Sequence, residues 1–176
     1  NLKELSLITK MNKLRELALK IGKNAKNASS QMYSVKTVQK NDVLRRISDC
    51  IEKNKINIFR GNMLDLNVAK KANKDSAFLD RLEITNKSIY DMCNGLEQVA
   101  SLPDPIGTIS NLMEQPSGIK VGNMNVPIGV ILMIYESRPN VTVDAAALTL
   151  KTGNSIILRG GSESINSNVV LHTIFY

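Results

Sequence analysis

Hydrophobic and polar positions along this chain follow two periods, and the longest run without a polar break lies towards its C-terminal end. From Ile128 to Tyr135 every residue is apolar or small, the pattern of a strand covered on both faces in a parallel sheet. Glu136-Ser137-Arg138-Pro139-Asn140 interrupts the run with polar side chains and a proline. Val141 to Lys151 then sets Val143, Ala146, Ala147 and Leu150 at helical spacing, with Thr142 as candidate N-cap. Gly153 stands where a helix needs a left-handed residue to stop, and Ser155 to Leu158 supplies a second short apolar strand. The stretch predicts a parallel βαβ unit. Its loops after the two strands, Glu136 to Asn140 and Arg159 to Glu163, are expected side by side on the edge where open α/β sheets bind ligands.

Upstream, the period is helical. Leu2, Leu5 and Ile8, then Leu14, Leu17, Ala18 and Ile21, predict an amphipathic helix over residues 2–28 that packs on the sheet, followed by a polar loop from Asn27 to Ser34. Thr37 is a candidate N-cap for a second helix to residue 54, with Val43, Leu44, Ile47, Cys50 and Ile51 in one stripe. Residues 55–75 mix short apolar groups with Asn, Lys and Gly61 and predict one or two short helical turns. A third helix is expected over residues 85–101, with Ile89, Met92, Cys93, Leu96 and Val99 on one face; Pro103-Asp104-Pro105 ends it. Ile119 to Val121 and Met124 to Val126 flank Gly122-Asn123 and predict a hairpin turning there. The fold class is α/β: a helical segment, residues 1–102, then a hairpin and a Rossmann-like βαβ unit, residues 118–176. No repeat or low-complexity tract interrupts it.

Charge narrows the function classes. Residues 1–75 carry 17 Lys and Arg against 7 Asp and Glu, whereas residues 76–176 carry 6 against 9, so the chain's +7 belongs to its front. Those lysines are scattered among asparagines without interleaved aromatics, which argues against nucleic acid and for a solvated helical surface. No segment has the apolar length of a membrane span or the pattern of a signal peptide, so a cytoplasmic protein is expected. Cys50 and Cys93 lie in helical apolar stripes and read as reduced packing residues; with His172 the sole histidine, no metal site is expected. The chain opens on Asn1 and closes on an apolar run ending at Tyr176, the pattern of a helix without a stop signal, and is expected to be a truncated piece of a longer protein.

Arg159-Gly160-Gly161-Ser162 offers a cation, two residues without Cβ, backbone N–H groups and a hydroxyl at the expected start of another helix: phosphate-binding parts, although a plain tight turn fits the four residues equally. The wider wording is specific. The run YESRPNVTVDAAALTLKTGN followed by ILRGGSE, together with AFLDRL at residues 77–82 and LPDPIG at residues 102–107, resembles γ-glutamyl phosphate reductase (glutamate-5-semialdehyde dehydrogenase), a branch of the aldehyde dehydrogenase superfamily. The resemblance covers nearly the whole chain. It implies an aldehyde dehydrogenase-like fold of which residues 1–176 form the N-terminal part of the NADPH-binding domain, with the nucleophilic cysteine in a further domain. It also implies an enzyme that is a homo-oligomer when complete, the hairpin contributing to the dimer.

The activity implied is NADPH-dependent reduction of L-glutamyl 5-phosphate to L-glutamate 5-semialdehyde, with release of phosphate, in proline biosynthesis. A cysteine thiolate attacks the acyl phosphate and hydride from NADPH resolves the thioester. Neither Cys50 nor Cys93 has the electropositive setting a thiolate needs, so the fragment alone is expected to be inactive. The resemblance places Tyr135, Glu136, Ser137, Arg159, Gly160, Gly161 and Ser162 against the cofactor, and Arg138 and Asn140 against the substrate. Asn140 is the candidate amide for the developing oxyanion. The superfamily's asparagine precedes the proline whereas Asn140 follows Pro139, so Arg138 can take the role, hold a carboxylate or phosphate, or form an ion pair with Glu136. Related dehydrogenases read K-P-S-E in the second loop, the glutamate holding ribose hydroxyls. Ser162 at that place, with Glu163 one position on, suits a 2′-phosphate and hence NADPH over NADH. Two other readings stay open: another NAD(P)-dependent aldehyde or acyl reductase, including the reductase half of pyrroline-carboxylate synthase, and a non-catalytic basic helical binding module.

Overall fold

The computed structural model describes residues 2–175, with side chains from Thr9 onward. Leu2, Leu5 and Ile8, as parts of the expected stripe, and the terminal Tyr176 lie outside the described side chains. Five helices come first: α1 Leu2–Met32, α2 Thr37–Lys53, α3 Lys55–Lys71, α4 Ser76–Leu82 and α5 Asn86–Ser101. An antiparallel ribbon of β1 Ile109–Glu114 and β2 Lys120–Met124 follows. Then comes the βαβ unit: β3 Val130–Ile134, α6 Val141–Lys151 and β4 Ser155–Arg159, closed by a short 3₁₀ turn at Ser162–Ser164 and α7 Ile165–Ile174.

The core forms where the helical stripes meet. Leu44 and Ile51 of α2, Ile58 of α3, Ile89 and Leu96 of α5, Val143 of α6 and Leu171 of α7 are each at most 1% exposed. Thr85 accepts from the Ser88 N–H while the Ser88 hydroxyl accepts from the Thr85 N–H, so α5 starts on a reciprocal cap. Cys93 is half-buried in the α2–α5 seam, its Sγ 3.7 Å from the Ser48 carbonyl, and burial pushes its thiol up, away from the thiolate. α6 stops as its sequence predicts: Gly153 has φ +68°, its N–H donates to the Leu150 carbonyl, and the Asn154 N–H reaches back to Thr149.

Four expectations change. Residues 55–71 are one full helix. Its buried face is Ile58, Gly61, Asn62, Asp65 and Ala69, whereas Ile56, Met63, Leu64 and Val68 are exposed, so burial follows a helical period that hydrophobicity does not. A Cβ at Gly61 would lie 3.0 Å from the Asn166 carbonyl oxygen and 3.1 Å from Val170 Cγ2, which is why α3 and α7 approach so closely there. Second, α1 runs through Asn27 to Met32 without a loop and meets the sheet through small residues. Ala25 and Ser29 are buried and the Ser155 hydroxyl donates to the Ala25 carbonyl at 2.7 Å, while Leu14, Leu17 and Ile21 stay exposed. Third, the ribbon turns at Gln115–Gly118, where Gly118 has φ +79°. Gly122-Asn123 lies inside β2, and the left-handed residue there is Asn111 (φ +53°) at the bulge of β1.

The fourth change concerns helix starts and the sheet face. Thr37 and Thr142 are not caps: both sit inside the first turn, Thr37 donating to Asp104 Oδ2 at 2.8 Å and Thr142 bonded to Tyr135. β3 pairs with β4 in parallel, as expected, but Leu132 and Ile134 are 59% and 66% exposed, so the strand is covered on only part of its surface by the described residues.

Candidate functional site

Parallel register fixes where the two loops begin. Ile134 lies opposite Arg159, and the Tyr135 N–H donates to the Arg159 carbonyl at 3.1 Å, so both loops leave one sheet edge side by side. The first loop then divides. The Arg138 N–H closes on the Glu136 carbonyl at 2.7 Å and Pro139 is fully buried, which turns the chain sharply into α6. Tyr135, Glu136 and Ser137 consequently face one side, and Arg138 and Asn140 the other.

On the first side a groove of about 570 Å³ is lined by Tyr135, Glu136, Ser137, Arg159, Gly161, Ser162 and Glu163 together with Lys74 and Phe78 from the start of α4. Lys74 Nζ sits 4.9 Å from the Phe78 ring, a cation–π contact that holds a second positive charge beside Arg159. An adjoining cleft of about 360 Å³ takes in Gly160 and shares Tyr135, Arg159, Gly161 and Ser162 with the groove. The seven residues assigned to a cofactor from sequence therefore share one continuous surface.

A directed relay of hydrogen bonds ties these loops together. The Thr142 hydroxyl donates to Asn168 Oδ1 at 3.2 Å, Asn168 Nδ2 to Ser164 Oγ at 3.0 Å, and Ser164 Oγ to the Gly161 carbonyl at 3.3 Å. A hydroxyl carries one proton, so Tyr135 must be the donor in its 2.6 Å bond with Thr142. All protons point from the first loop to the second, an alignment in which each bond polarises the next.

The glycines and the helix start differ from the phosphate cradle read in the sequence. A Cβ at Gly160 would collide with the Asn168 amide and meet the Tyr135 ring at 3.2 Å; at Gly161 it would meet Glu163 Oε2 at 2.6 Å. The protein's own side chains already occupy that space. The first N–H groups of α7 are also taken: Asp65, 2% exposed, accepts from the Asn166 N–H and Nδ2 on one oxygen and from the Ser167 N–H and Oγ on the other, at 2.7 to 3.1 Å. A phosphate in the groove would thus rest on side chains, Arg159, Lys74 and Ser162, rather than on that helix end.

On the second side, Arg138 and Asn140 open onto a cleft of about 420 Å³ whose far wall is Asp80 and Arg81 on α4, Glu83 just after it, and Ser88 and Asp91 on α5. Asp144, in the first turn of α6, completes it, and partial burial pushes its carboxyl pKa up. Glu136 and Arg138 line different clefts and form no ion pair with each other, which removes that alternative.

No family model matches the chain. Individual proteins do. Over 163 residues, 93% of this chain, it is 48% identical to the gamma-glutamyl phosphate reductase of Ruthia magnifica subsp. Calyptogena magnifica, covering 39% of that protein. Over 156 residues it is 48% identical to the enzyme of the same name from Carboxydothermus hydrogenoformans, covering 89% of this chain and 38% of that one. The crystal structure of gamma-glutamyl phosphate reductase from Thermotoga maritima superposes with a TM-score of 0.86 at 34% identity, over 89% of this chain and 38% of that one. The chain is homologous to part of gamma-glutamyl phosphate reductase. It spans about 39% of the length of such a relative.

A wider likeness shows the fold behind gamma-glutamyl phosphate reductase. A putative aldehyde dehydrogenase from Bacillus subtilis superposes over 86% of this chain and 31% of that one, with a TM-score of 0.64 at 15% identity, so the architecture is aldehyde dehydrogenase-like. Against this fold, the reductase-like sequence reading brings the cofactor candidates together and sets Arg138 and Asn140 apart from them by one turn of chain. It missed Lys74, Asp65, Asp144 and Asn168. Lys74, Asp65 and Asn168 belong to no quoted motif and reach the site from other elements, whereas Asp144 lies within the run from Tyr135 to Asn154; the helical spacing of Asp65 with Gly61 and Ile58 was a further readable signal.

Proposed function

We propose that this chain is part of an NADPH-dependent γ-glutamyl phosphate reductase, forming L-glutamate 5-semialdehyde from L-glutamyl 5-phosphate in proline biosynthesis. The observation that carries the reading is the 48% identity over 93% of the chain, with both matched loops opening at one parallel sheet edge. In this reading, residues 1–176 are the N-terminal part of the nucleotide-binding domain, and the nucleophilic cysteine is neither Cys50 nor Cys93. Cys93 supports that assignment, because burial and the neighbouring Glu52 and Asp49 all oppose a thiolate.

When bound, NADPH supplies hydride. The residues of this chain bind and orient: Arg159, Ser162 and Lys74 hold the 2′-phosphate, while Tyr135 and the Gly160-Gly161 backbone form the floor of the groove. Glu163 folds over Gly161, within the same groove, and limits how much negative charge the groove accepts. Arg138 and Asn140 face the substrate, with Asn140 donating to the oxyanion; its side chain makes no capping bond to α6 and is exposed. The complete enzyme is a soluble homo-oligomer in this reading, and the exposed β1–β2 ribbon is the element available for it.

Phosphate-dependent reduction of NADP⁺ by the intact protein in the presence of L-glutamate 5-semialdehyde tests the reading in the reverse direction. Turnover with NADP⁺ exceeding that with NAD⁺ is expected. Activity on unphosphorylated aldehydes with no need for phosphate would favour the general aldehyde dehydrogenase alternative. Turnover by residues 1–176 alone, above a matched blank, would overturn the placement of the nucleophile.

A further inference from the structure

The cleft around Arg138 carries charges that a phosphate-binding site would not. Asp80, Glu83, Asp91 and Asp144 face it against two guanidinium groups, Arg81 and Arg138. Of these, only Asp91 is engaged in an ion pair among the described residues, with Lys87 at 2.7 Å. A doubly charged acyl phosphate is repelled from such a wall, whereas a zwitterion with one positive and one negative group is matched. The two groups best placed to split that recognition stand on one wall. Arg138 leaves the loop just before α6, and Asp144 lies in the first turn of the helix, where its carboxylate looks across at Gly95 of α5, 4.0 Å from the position a Cβ there would occupy. Arg138 stands three residues before α6 and Asp144 is the fourth residue of it, so one short segment carries both charges into the same cleft. Gly95 keeps the space in front of the carboxylate open.

We propose that this cleft recognises the amino-acid end of the substrate, Asp144 pairing with its α-ammonium and Arg138 with its α-carboxylate, so that the acyl phosphate points out of the cleft. The assignment rests on the reductase reading for the identity of the substrate, but not for the charge pattern. It makes Asp144 a specificity-determining residue and gives Arg138 the carboxylate instead of the phosphate. Partial burial raises the carboxyl pKa of Asp144, and an ammonium bound beside it would act in the opposite direction.

Calorimetry on the intact protein with three probes tests it: L-glutamate, glutarate, which lacks the ammonium, and 4-aminobutyrate, which lacks the α-carboxylate. Asp144→Asn, isosteric and on an exposed position, is expected to weaken L-glutamate and 4-aminobutyrate about tenfold and to leave glutarate unchanged. Arg138→Gln is expected to weaken L-glutamate and glutarate and to leave 4-aminobutyrate unchanged. The proposal is overturned if Asp144→Asn leaves L-glutamate affinity within twofold of the parent, or if each variant weakens all three probes alike. Kinetics separate the two readings. Reduction of glutamyl phosphate with an unaltered KM in Asp144→Asn would sink the cleft assignment while the reductase stands; the crossed binding pattern without any turnover would do the reverse.

Discussion

Removing the carboxylate of Asp65 is expected to be among the most damaging single changes available in the described chain. Asp65 lies on α3 and is 2% exposed, and its two oxygens accept four hydrogen bonds from Asn166 and Ser167 at the start of α7. Capping an exposed helix end contributes about 1 kcal/mol, because water replaces the cap when it is cut away. Here water has no such access, and the neighbouring Asn62 has its own amide committed to the Leu82 carbonyl, Ser167 Oγ and the Ile84 N–H. Asp65→Ala would leave the Ser167 N–H and hydroxyl buried without an acceptor, a loss of about 3 to 5 kcal/mol by analogy with breaking a buried charged pair. Set against a total stability of roughly 5 to 15 kcal/mol, that is a large share. Urea unfolding followed by far-UV circular dichroism measures it. Asp65→Asn separates charge and hydrogen bonding from volume: its NH₂ must face either the Asn166 or the Ser167 N–H, donor against donor, so it should destabilise by about 2 kcal/mol or more. A midpoint for Asp65→Asn within about 0.5 kcal/mol of the parent would mean that Asp65 only fills space, and would refute the reasoning. Asp75→Ala, which removes an exposed cap bonded to the Phe78 N–H, serves as the contrast at about 1 kcal/mol.

Three further outcomes follow from the structure. Gly61→Ala should destabilise by about 1 to 3 kcal/mol in the same unfolding assay, since its methyl would press on the Asn166 carbonyl and Val170 and force α3 and α7 apart. Asp104 is held below the ordinary carboxylate pKa: burial pushes it up, but hydrogen bonds from Lys40, the Ile106 N–H and Thr37 outweigh burial. A carboxyl depressed by folding stabilises above its unfolded value of 3.8 and loses that contribution as pH falls through and below it. Asp104→Asn should therefore flatten the acid limb of the stability curve relative to the parent. In the groove proposed for the nucleotide, Arg159→Ala in the intact protein should weaken NADPH about tenfold to a hundredfold and NADH much less, as measured by fluorescence titration; equal losses would show that Arg159 holds a part common to both nucleotides.

How much of this was readable depended on whether burial and hydrophobicity coincide. For α2 and α5 they do. Leu44, Ile47, Ile51, Ile89, Met92 and Leu96 are both apolar and buried, and Gly153 adopts the conformation its position implies. For α3 they diverge. Its inner face carries an amide, a carboxylate and a glycine that are satisfied by α7 and by the residues after α4, partners more than a hundred positions away for Asp65. Asp65, Asn62 and Gly61 look like surface or loop residues until those partners are known. The ribbon turn was misplaced for a local reason: Gly122-Asn123 and Gln115–Gly118 both hold a glycine suited to turning, and pairing, not composition, decides between them. Loop neighbours at the sheet edge were legible because parallel register enforces them; Lys74 arrives from the link between α3 and α4, for which the sequence holds no local mark, and Asp144 follows the first loop into α6.

The collision between a Cβ at position 160 and the Asn168 amide has an evolutionary consequence. Positions 160 and 168 share one small volume, so their drift is coupled. A descendant that acquires alanine at 160 must swing the Asn168 amide aside or shorten it, and so disturb the bridge from Thr142 to Ser164. A side chain at 160 is thus felt first at 168, and a paired replacement re-wires the loop with the least disturbance. Among homologues with this backbone, glycine at 160 should travel with a long polar residue at 168, and any larger residue at 160 with a shortened one.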